Sequence, residues 1–149
     1  MQESREVVQI GILVKSVDET AKKLQDLGIG PFEIFEPSFR DKTLYGKPED
    51  FKTKLGLAKS GGIQIELMEI VSGNTIYHDF LKRKGYGLHH IAIGTSNMDE
   101  SLKDMRKEGF TVSQSGNRPG VKFAYLDTEE QLGIILELVE RDWSFLRKP

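Results

Sequence analysis

Two adjacent histidines sit near the start of the apolar stretch GLHHIAIGT, residues 87–95, in a chain with three histidines and no cysteine. An imidazole among carboxylates can hold a divalent cation and, with it, help ionise a C–H bond next to a carbonyl. An internal repeat indicates which acids join it. QIGILVKSVDETAKKLQDLGI, residues 9–29, aligns without a gap on HIAIGTSNMDESLKDMRKEGF, residues 90–110. Ile10 falls on Ile91, Ile12 on Ile93, Asp18-Glu19 on Asp99-Glu100 and Gly28 on Gly109. GIQIELME, residues 62–69, aligns in the same way on GIILELVE, residues 133–140. Gln9 is therefore the counterpart of His90, and Glu66 of Glu137.

Successive strand residues point to opposite faces. With Ile10, Ile12 and Val14 turned toward the helix of their own unit, Gln9 and Gly11 face the other way. In the second copy Ile91 and Ile93 pack under the helix, and His90 turns away with Ala92. The same alternation sends His89 toward the helix side or solvent. Glu66 alternates with Ile65 and Leu67, and Glu137 with Leu136 and Leu138. Gln9, Glu66, His90 and Glu137 thus occupy inward positions flanked by apolar neighbours. Singly, each reads as an exposed position of an open sheet. Together they include two carboxylates that are costly to bury without a partner, and a divalent cation held by all four would neutralise them. One nitrogen among oxygen donors suits manganese, cobalt, nickel, iron or zinc without ranking them.

The elements that carry these residues read clearly. Ser16 with Glu19, and Asn97 with Glu100, stand at capping-box spacing before the two helices. The apolar stripe Val17, Ala21, Leu24 recurs as Met98, Leu102, Met105, and each helix stops at a glycine suited to a left-handed cap. DFKTKLGLAK, residues 50–59, alternates as a strand and leads through Ser60-Gly61-Gly62 into the next one. VKFAYLD, residues 121–127, holds the matching place in the second copy, and residues 74–84 read as a linker helix. Units of about 60 residues are each too small to bury a comfortable core alone, so two sheets closing on each other are expected.

Composition narrows the rest. Charged residues are 30% and hydrophobic ones 38%, with 21 basic and 23 acidic side chains interspersed. No basic block tracks a phosphate backbone, and Lys82-Arg83-Lys84 reads as a solvated helix end, so nucleic acid is not an expected partner. The absence of cysteine rules out disulfides and thiolate metal sites, and fits a reducing compartment. With no signal-like N-terminus and no membrane-length apolar run, a cytoplasmic protein with no membrane partner is expected.

HHIAI opening the second unit, IQIELMEI before the linker helix and the ending GIILELVE resemble the vicinal-oxygen-chelate superfamily of glyoxalases, bleomycin-resistance proteins and dioxygenases. The likeness runs from about residue 6 to 140 and is nearest the methylmalonyl-coenzyme A epimerase-like branch. It implies an α+β fold of two paired βαβββ units, about 6–70 and 87–140, forming a cleft between curved mixed sheets in one glyoxalase-like domain over 1–149. It also implies a divalent metal held by one residue from the first and last strand of each unit, which places Gln9, Glu66, His90 and Glu137 in that role. The activity implied is that of an isomerase, epimerase or lyase. It would take a proton next to the carbonyl of a small acyl-thioester or carbonyl substrate, as methylmalonyl-coenzyme A epimerase or lactoylglutathione lyase does. Glu137, or secondarily Glu66, is the expected base. The superfamily also offers an iron-dependent ring-cleaving dioxygenase and a non-catalytic, resistance-type binder as alternatives, and a homodimer as the expected assembly. Two positions depart from the epimerase pattern. Gln9 stands where histidine is usual, and Lys52 and Lys54 lie where a catalytic carboxylate is expected, with Glu49 and Asp50 nearby as substitutes. GIGPFEIFEP, residues 28–37, reads as a tight loop anchored by Phe32 and Phe35, with walling of the cleft mouth by the two rings as the alternative, and Trp143 and Phe145 as docking the C-terminal tail or covering a subunit contact.

Overall fold

The computed structural model describes residues 5–148. The first half runs β1 (Val7–Leu13), α1 (Val17–Asp26), β2 (Glu33–Phe35), β3 (Arg40–Leu44), β4 (Lys47–Pro48), β5 (Lys52–Ser60) and β6 (Ile63–Ser72). A linker helix, α2 (Ile76–Lys84), follows. The second half runs β7 (Gly87–Thr95), α3 (Met98–Lys107), β8 (Val112–Arg118), β9 (Val121–Leu126), α4 (Glu129–Leu132) and β10 (Ile135–Glu140), before a 3-10 turn at Ser144–Arg147. None of the helices is long and apolar enough to cross a membrane.

Both long helices start and stop as their sequences require. The Ser16 hydroxyl accepts from Glu19 N and the Asn97 side-chain Oδ1 from Glu100 N, satisfying one exposed amide at each N-terminus. A further cap comes from the sheet. Val17 N donates to Glu69 at 2.8 Å and Met98 N to Glu140 at 2.8 Å, so the carboxylates near the ends of β6 and β10 act as equivalent anionic caps. Gly28 and Gly109 then leave the helices with φ of 91° and 90°. The expected stripes pack as clusters beneath α1 (Val14, Val17, Ala21, Leu67) and α3 (Met98, Ala124, Leu126, Leu138). A third cluster, shared by both halves, fills the concave side with Leu13, Phe51, Met68, Phe80, Tyr125 and Val139.

All ten strands join one mixed sheet, ordered β2-β5-β6-β1-β7-β10-β9-β8-β3-β4. β1 and β7 pair antiparallel at its centre, β6 runs parallel to β1, and β10 runs parallel to β7. Chain length shows how far the sheet curls. β2 and β3 are eight strand spacings apart in the sheet order, about 38 Å if flat, yet the five steps from Phe35 to Arg40 reach at most about 18 Å. The sheet must therefore bend until its edges approach, and its concave side becomes the cleft.

One expectation about the first half needs correction, and one hairpin lies outside the repeat. Residues 28–37 are not loop throughout: Glu33–Phe35 forms a short edge strand on β5 after a cis Gly30–Pro31 bond. β3 and β4 have no counterpart in the repeat. They form a hairpin that leaves its own half and pairs with β8 of the other.

Candidate metal centre

The four central strands, β6, β1, β7 and β10, each bring a polar side chain to one point on the concave side: Glu66, Gln9, His90 and Glu137. All four are buried, with His90 fully so. They meet around one atom. His90 Nε2 lies 3.1 Å from Gln9 Oε1, 3.2 Å from Glu137 Oε1 and 3.5 Å from Glu66 Oε1. The ligand atoms of Glu66, His90 and Glu137 fall within 4.8 Å of one another. Opposed donors on one cation, each about 2.0–2.6 Å from it, stand roughly 4–5 Å apart, so this spacing fits a single ion. Glu137 Oε1 is buried and has no hydrogen-bond partner. Burial first, then the charge of Glu137, pushes the Glu66 carboxyl well above its ordinary range, while Arg118 draws it down. Two buried acids, one with an unpartnered oxygen, beside an imidazole and an amide oxygen are a donor set that fits a divalent cation.

Neighbouring residues hold these groups in place. Gln9 Nε2 donates to Gln64 Oε1 at 2.8 Å, which turns the Gln9 carbonyl oxygen toward His90. Gly11 pairs with His90 across β1 and β7, and a Cβ built there would lie 1.9 Å from His90 Cε1, so only glycine leaves room for the ring.

His89 does not lie where strand alternation sends it. The β1–β7 register passes from Gly11–His90 to Ile12–Leu88, leaving His89 unpaired in a bulge. A bulge disrupts the alternation that would otherwise send neighbouring side chains to opposite faces. His89 is buried against the rings of Tyr77, Phe80 and Tyr125, and its Nδ1 lies 3.0 Å from His90 Nδ1. Burial, with lesser contributions from His90 and Arg83, lowers its pKa to about 2, so it stays neutral. A neutral His89 can accept from His90 Nδ1–H, which leaves the His90 Nε2 lone pair facing the three oxygens.

Beside this cluster lies a cavity of about 50 Å³, walled by residues that include Thr53, Leu57, Tyr77 and Tyr125. The Tyr77 and Tyr125 hydroxyls are 2.7 Å apart, and burial raises both of their pKa values. Tyr125 pairs with Glu137 and Leu57 with Glu66, so the parity that selects the two acids also marks these neighbours. Gln64 was legible in the same way, two positions before Glu66. No such signal marked Arg118 and Arg141, which also line the cavity.

The substitute acids are not in the cleft. Asp50 is exposed and pairs with Lys42 at 2.7 Å, while Glu49 accepts from Asn74 N at 3.2 Å. Lys52 is exposed, and Lys54 pairs with Asp18 of α1. The cavity-lining residues of β5 are Thr53, Leu55 and Leu57, so this strand brings no carboxylate to the site. Phe32 packs with the cluster under α1, and Phe35 packs on the shared cluster below the Arg118 guanidinium. Trp143 forms part of the cavity wall and donates to Val139 O at 3.1 Å, with Phe145 stacked at 5.9 Å.

A family model described as the Glyoxalase/Bleomycin resistance protein/Dioxygenase superfamily matches residues 8–125. The uncharacterized protein YqjC of Bacillus subtilis (strain 168) is 28% identical over 128 residues, covering 79% of this chain and 91% of that protein. A hypothetical protein from Bacillus halodurans C-125 superposes with a TM-score of 0.67 at 23% identity, over 94% of this chain and 96% of that one. Methylmalonyl-CoA epimerase in complex with methylmalonyl-CoA and ammonium gives 0.64 at 23% identity, over 93% and 95% of the two chains. The methylmalonyl-CoA epimerase of Mycobacterium tuberculosis gives 0.64 at 19% identity, over 95% and 93%. At these identities the structural likeness speaks for the fold.

Proposed function

The chain belongs to the glyoxalase/bleomycin resistance/dioxygenase superfamily, and from that premise we propose that it is a metal-dependent isomerase, epimerase or lyase. It takes a proton from the carbon next to a carbonyl of a small acyl-thioester or carbonyl compound. The observation that carries this reading is the meeting of Gln9 Oε1, Glu66, His90 Nε2 and Glu137 from four separate strands. Those four residues would hold the cation, which when bound supplies positive charge to stabilise the negative charge building on the substrate carbonyl oxygen.

The remaining chemistry belongs to the protein. Glu137, whose Oε1 accepts no hydrogen bond, is the group placed to take the proton and return it. Glu66 stands across from it on the strand equivalent to its own. Return of the proton to the opposite face of the same carbon gives epimerisation, and return to the adjacent carbon gives isomerisation. Tyr77, Tyr125 and Leu57 close the floor and sides of the cavity, limiting water around the charged groups. A single imidazole among the four donors favours this chemistry over that of a ring-cleaving iron dioxygenase, which commonly uses two histidines and one carboxylate.

The test is metal analysis of protein purified without chelators, paired with solvent-deuterium exchange into candidate acyl thioesters and α-hydroxy or α-dicarbonyl compounds. The wild type is expected to hold about one divalent ion per chain, and Glu137→Gln to lose both the ion and the exchange while keeping its circular-dichroism spectrum. A wild type that binds no divalent ion, or a Glu137→Gln variant with undiminished exchange, overturns the reading.

A further inference from the structure

Several basic side chains of this protein pair with an acid. Arg5 pairs with Asp104, Lys42 with Asp50, Lys54 with Asp18, Arg83 with Asp79 and Glu129, and Arg147 with Glu6. Arg118 and Arg141 differ from these in where they lie. Among the described residues neither forms an ion pair, and both line the cavity beside the metal centre and the larger recess at its mouth. Arg118, at the end of β8, carries its guanidinium over the Phe35 ring at 5.5 Å, and its Nε is buried with no hydrogen-bond partner. Arg141, just after β10, lies 5.1 Å from the Trp143 ring and 4.8 Å from the Phe145 ring. Its hydrogen bond to Asp142 O is long at 3.4 Å. Glu33 also borders the recess but is exposed and pairs with neither arginine.

A guanidinium stays charged at any physiological pH, so two of them cannot relieve their repulsion by losing a proton. Burial, and then the charge of Arg118, weaken the hold of Arg141 on its proton. A buried donor without a partner is also a cost that a ligand could remove. The forked N–H donors match a planar or tetrahedral oxyanion, and the aromatic faces beneath them hold the forks in place.

We propose that Arg118 and Arg141 form an oxyanion subsite at the cleft mouth, taking a carboxylate or phosphoryl group carried by the substrate. The substrate class is then a carbonyl compound with an anionic group at the end remote from the reacting carbon. The small cavity receives the reacting end, and the wider recess bordered by Phe35 and Phe145 receives the anion. This assignment of substrate rests on the metal-site reading, but the binding of the anion does not.

The lone tryptophan, Trp143, sits in the cavity wall beside Arg141 and reports on the subsite directly. Chelator-treated protein is titrated at constant ionic strength with inorganic phosphate and, separately, with malonate, following Trp143 fluorescence. A saturable change is expected for at least one anion, with Arg118→Gln and Arg141→Gln each weakening it about tenfold or more. Arg118→Lys, which keeps the charge and loses the fork, is expected to fall between. Binding of phosphate alone assigns a phosphoryl group, and binding of malonate alone a carboxylate; either upholds the subsite. No saturable change up to about 50 mM of either anion, or unchanged affinity in both glutamine variants, overturns it. Glu137→Gln is expected to bind the anion as the wild type does, and Arg118→Gln to keep its metal. Failure of the metal centre and failure of the anion subsite are therefore read separately.

Discussion

His89 and His90 are neighbours in the chain and have different tasks in the site. His90 presents Nε2 to three oxygens, while His89 meets its other ring nitrogen at 3.0 Å from within an aromatic pocket. Replacing His89 by phenylalanine fills that pocket but removes the acceptor that sets the ring of His90. The expected result is a folded protein whose metal affinity drops about 10- to 100-fold, measured by competition with a chelating dye. Unchanged affinity would mean that His89 only fills space. The same residue shapes the acid limit of stability in the metal-free protein. Folded His89 holds no proton until about pH 2, whereas the unfolded chain takes one below the ordinary value of 6.5. Acid below pH 6.5 therefore favours unfolding, by at most about 1.4 kcal/mol per pH unit. Glu66 acts in the opposite sense, since its folded pKa is raised above the ordinary 4.5. Above pH 4.5 the folded chain keeps a proton that the unfolded chain has lost, and stability falls as pH rises toward the folded pKa. Between those two ordinary values the effects oppose each other, so metal-free stability should form a plateau and decline on both sides. Urea melts across about pH 3 to 8 should show it, with Glu66→Gln keeping the acid decline and losing the alkaline one.

At the scale of elements, the site depends on how closely β1 and β7 approach. Gly11 is the point of contact, because a methyl group there would collide with the His90 ring. Gly11→Ala should cost about 1–3 kcal/mol through overpacking and should displace the imidazole, lowering metal affinity at least about tenfold. Gly62, in the turn between β5 and β6 with nothing within 4 Å of where a methyl would stand, is the contrasting position whose alanine variant should keep the metal. Thermal melts and metal titration of the two variants check this. A Gly11→Ala protein with wild-type stability and metal affinity would show that the central strands can separate without cost. The carboxylates of Glu69 and Glu140 matter at the same scale, since each ties the start of a helix to the end of the last strand of its unit.

For the whole molecule, strands of the two halves pair at two places: the central β1–β7 pairing, and the β3–β8 pairing made by the hairpin from the first half. The shared cluster draws Phe51 and Met68 from one half and Tyr125 and Val139 from the other. Neither half keeps its buried surface without its partner, so the chain should unfold in a single cooperative step. Urea transitions followed by Trp143 fluorescence and by far-ultraviolet circular dichroism should coincide. Separate midpoints would show that the halves are independent.

The sequence alone determined the repeat, the helix limits, the strand parity and the four inward polar positions, because each is written in local periodicity or capping chemistry. Gln9, Glu66, His90 and Glu137 were legible for that reason, and Gln64 and Tyr125 carried the same signal. The inward turn of His89 was not, because a one-residue bulge depends on the register between two strands rather than on either strand alone. The crossing of β3 and β4 to the far edge was likewise hidden, since it needs the curl that brings the two edges together. Arg118 and Arg141 belong to the same class. Nothing in their neighbouring residues sets them apart from surface arginines, and only the closed sheet brings them together at one cleft. Local chemistry chose the residues that point inward, and long-range packing decided what they meet there.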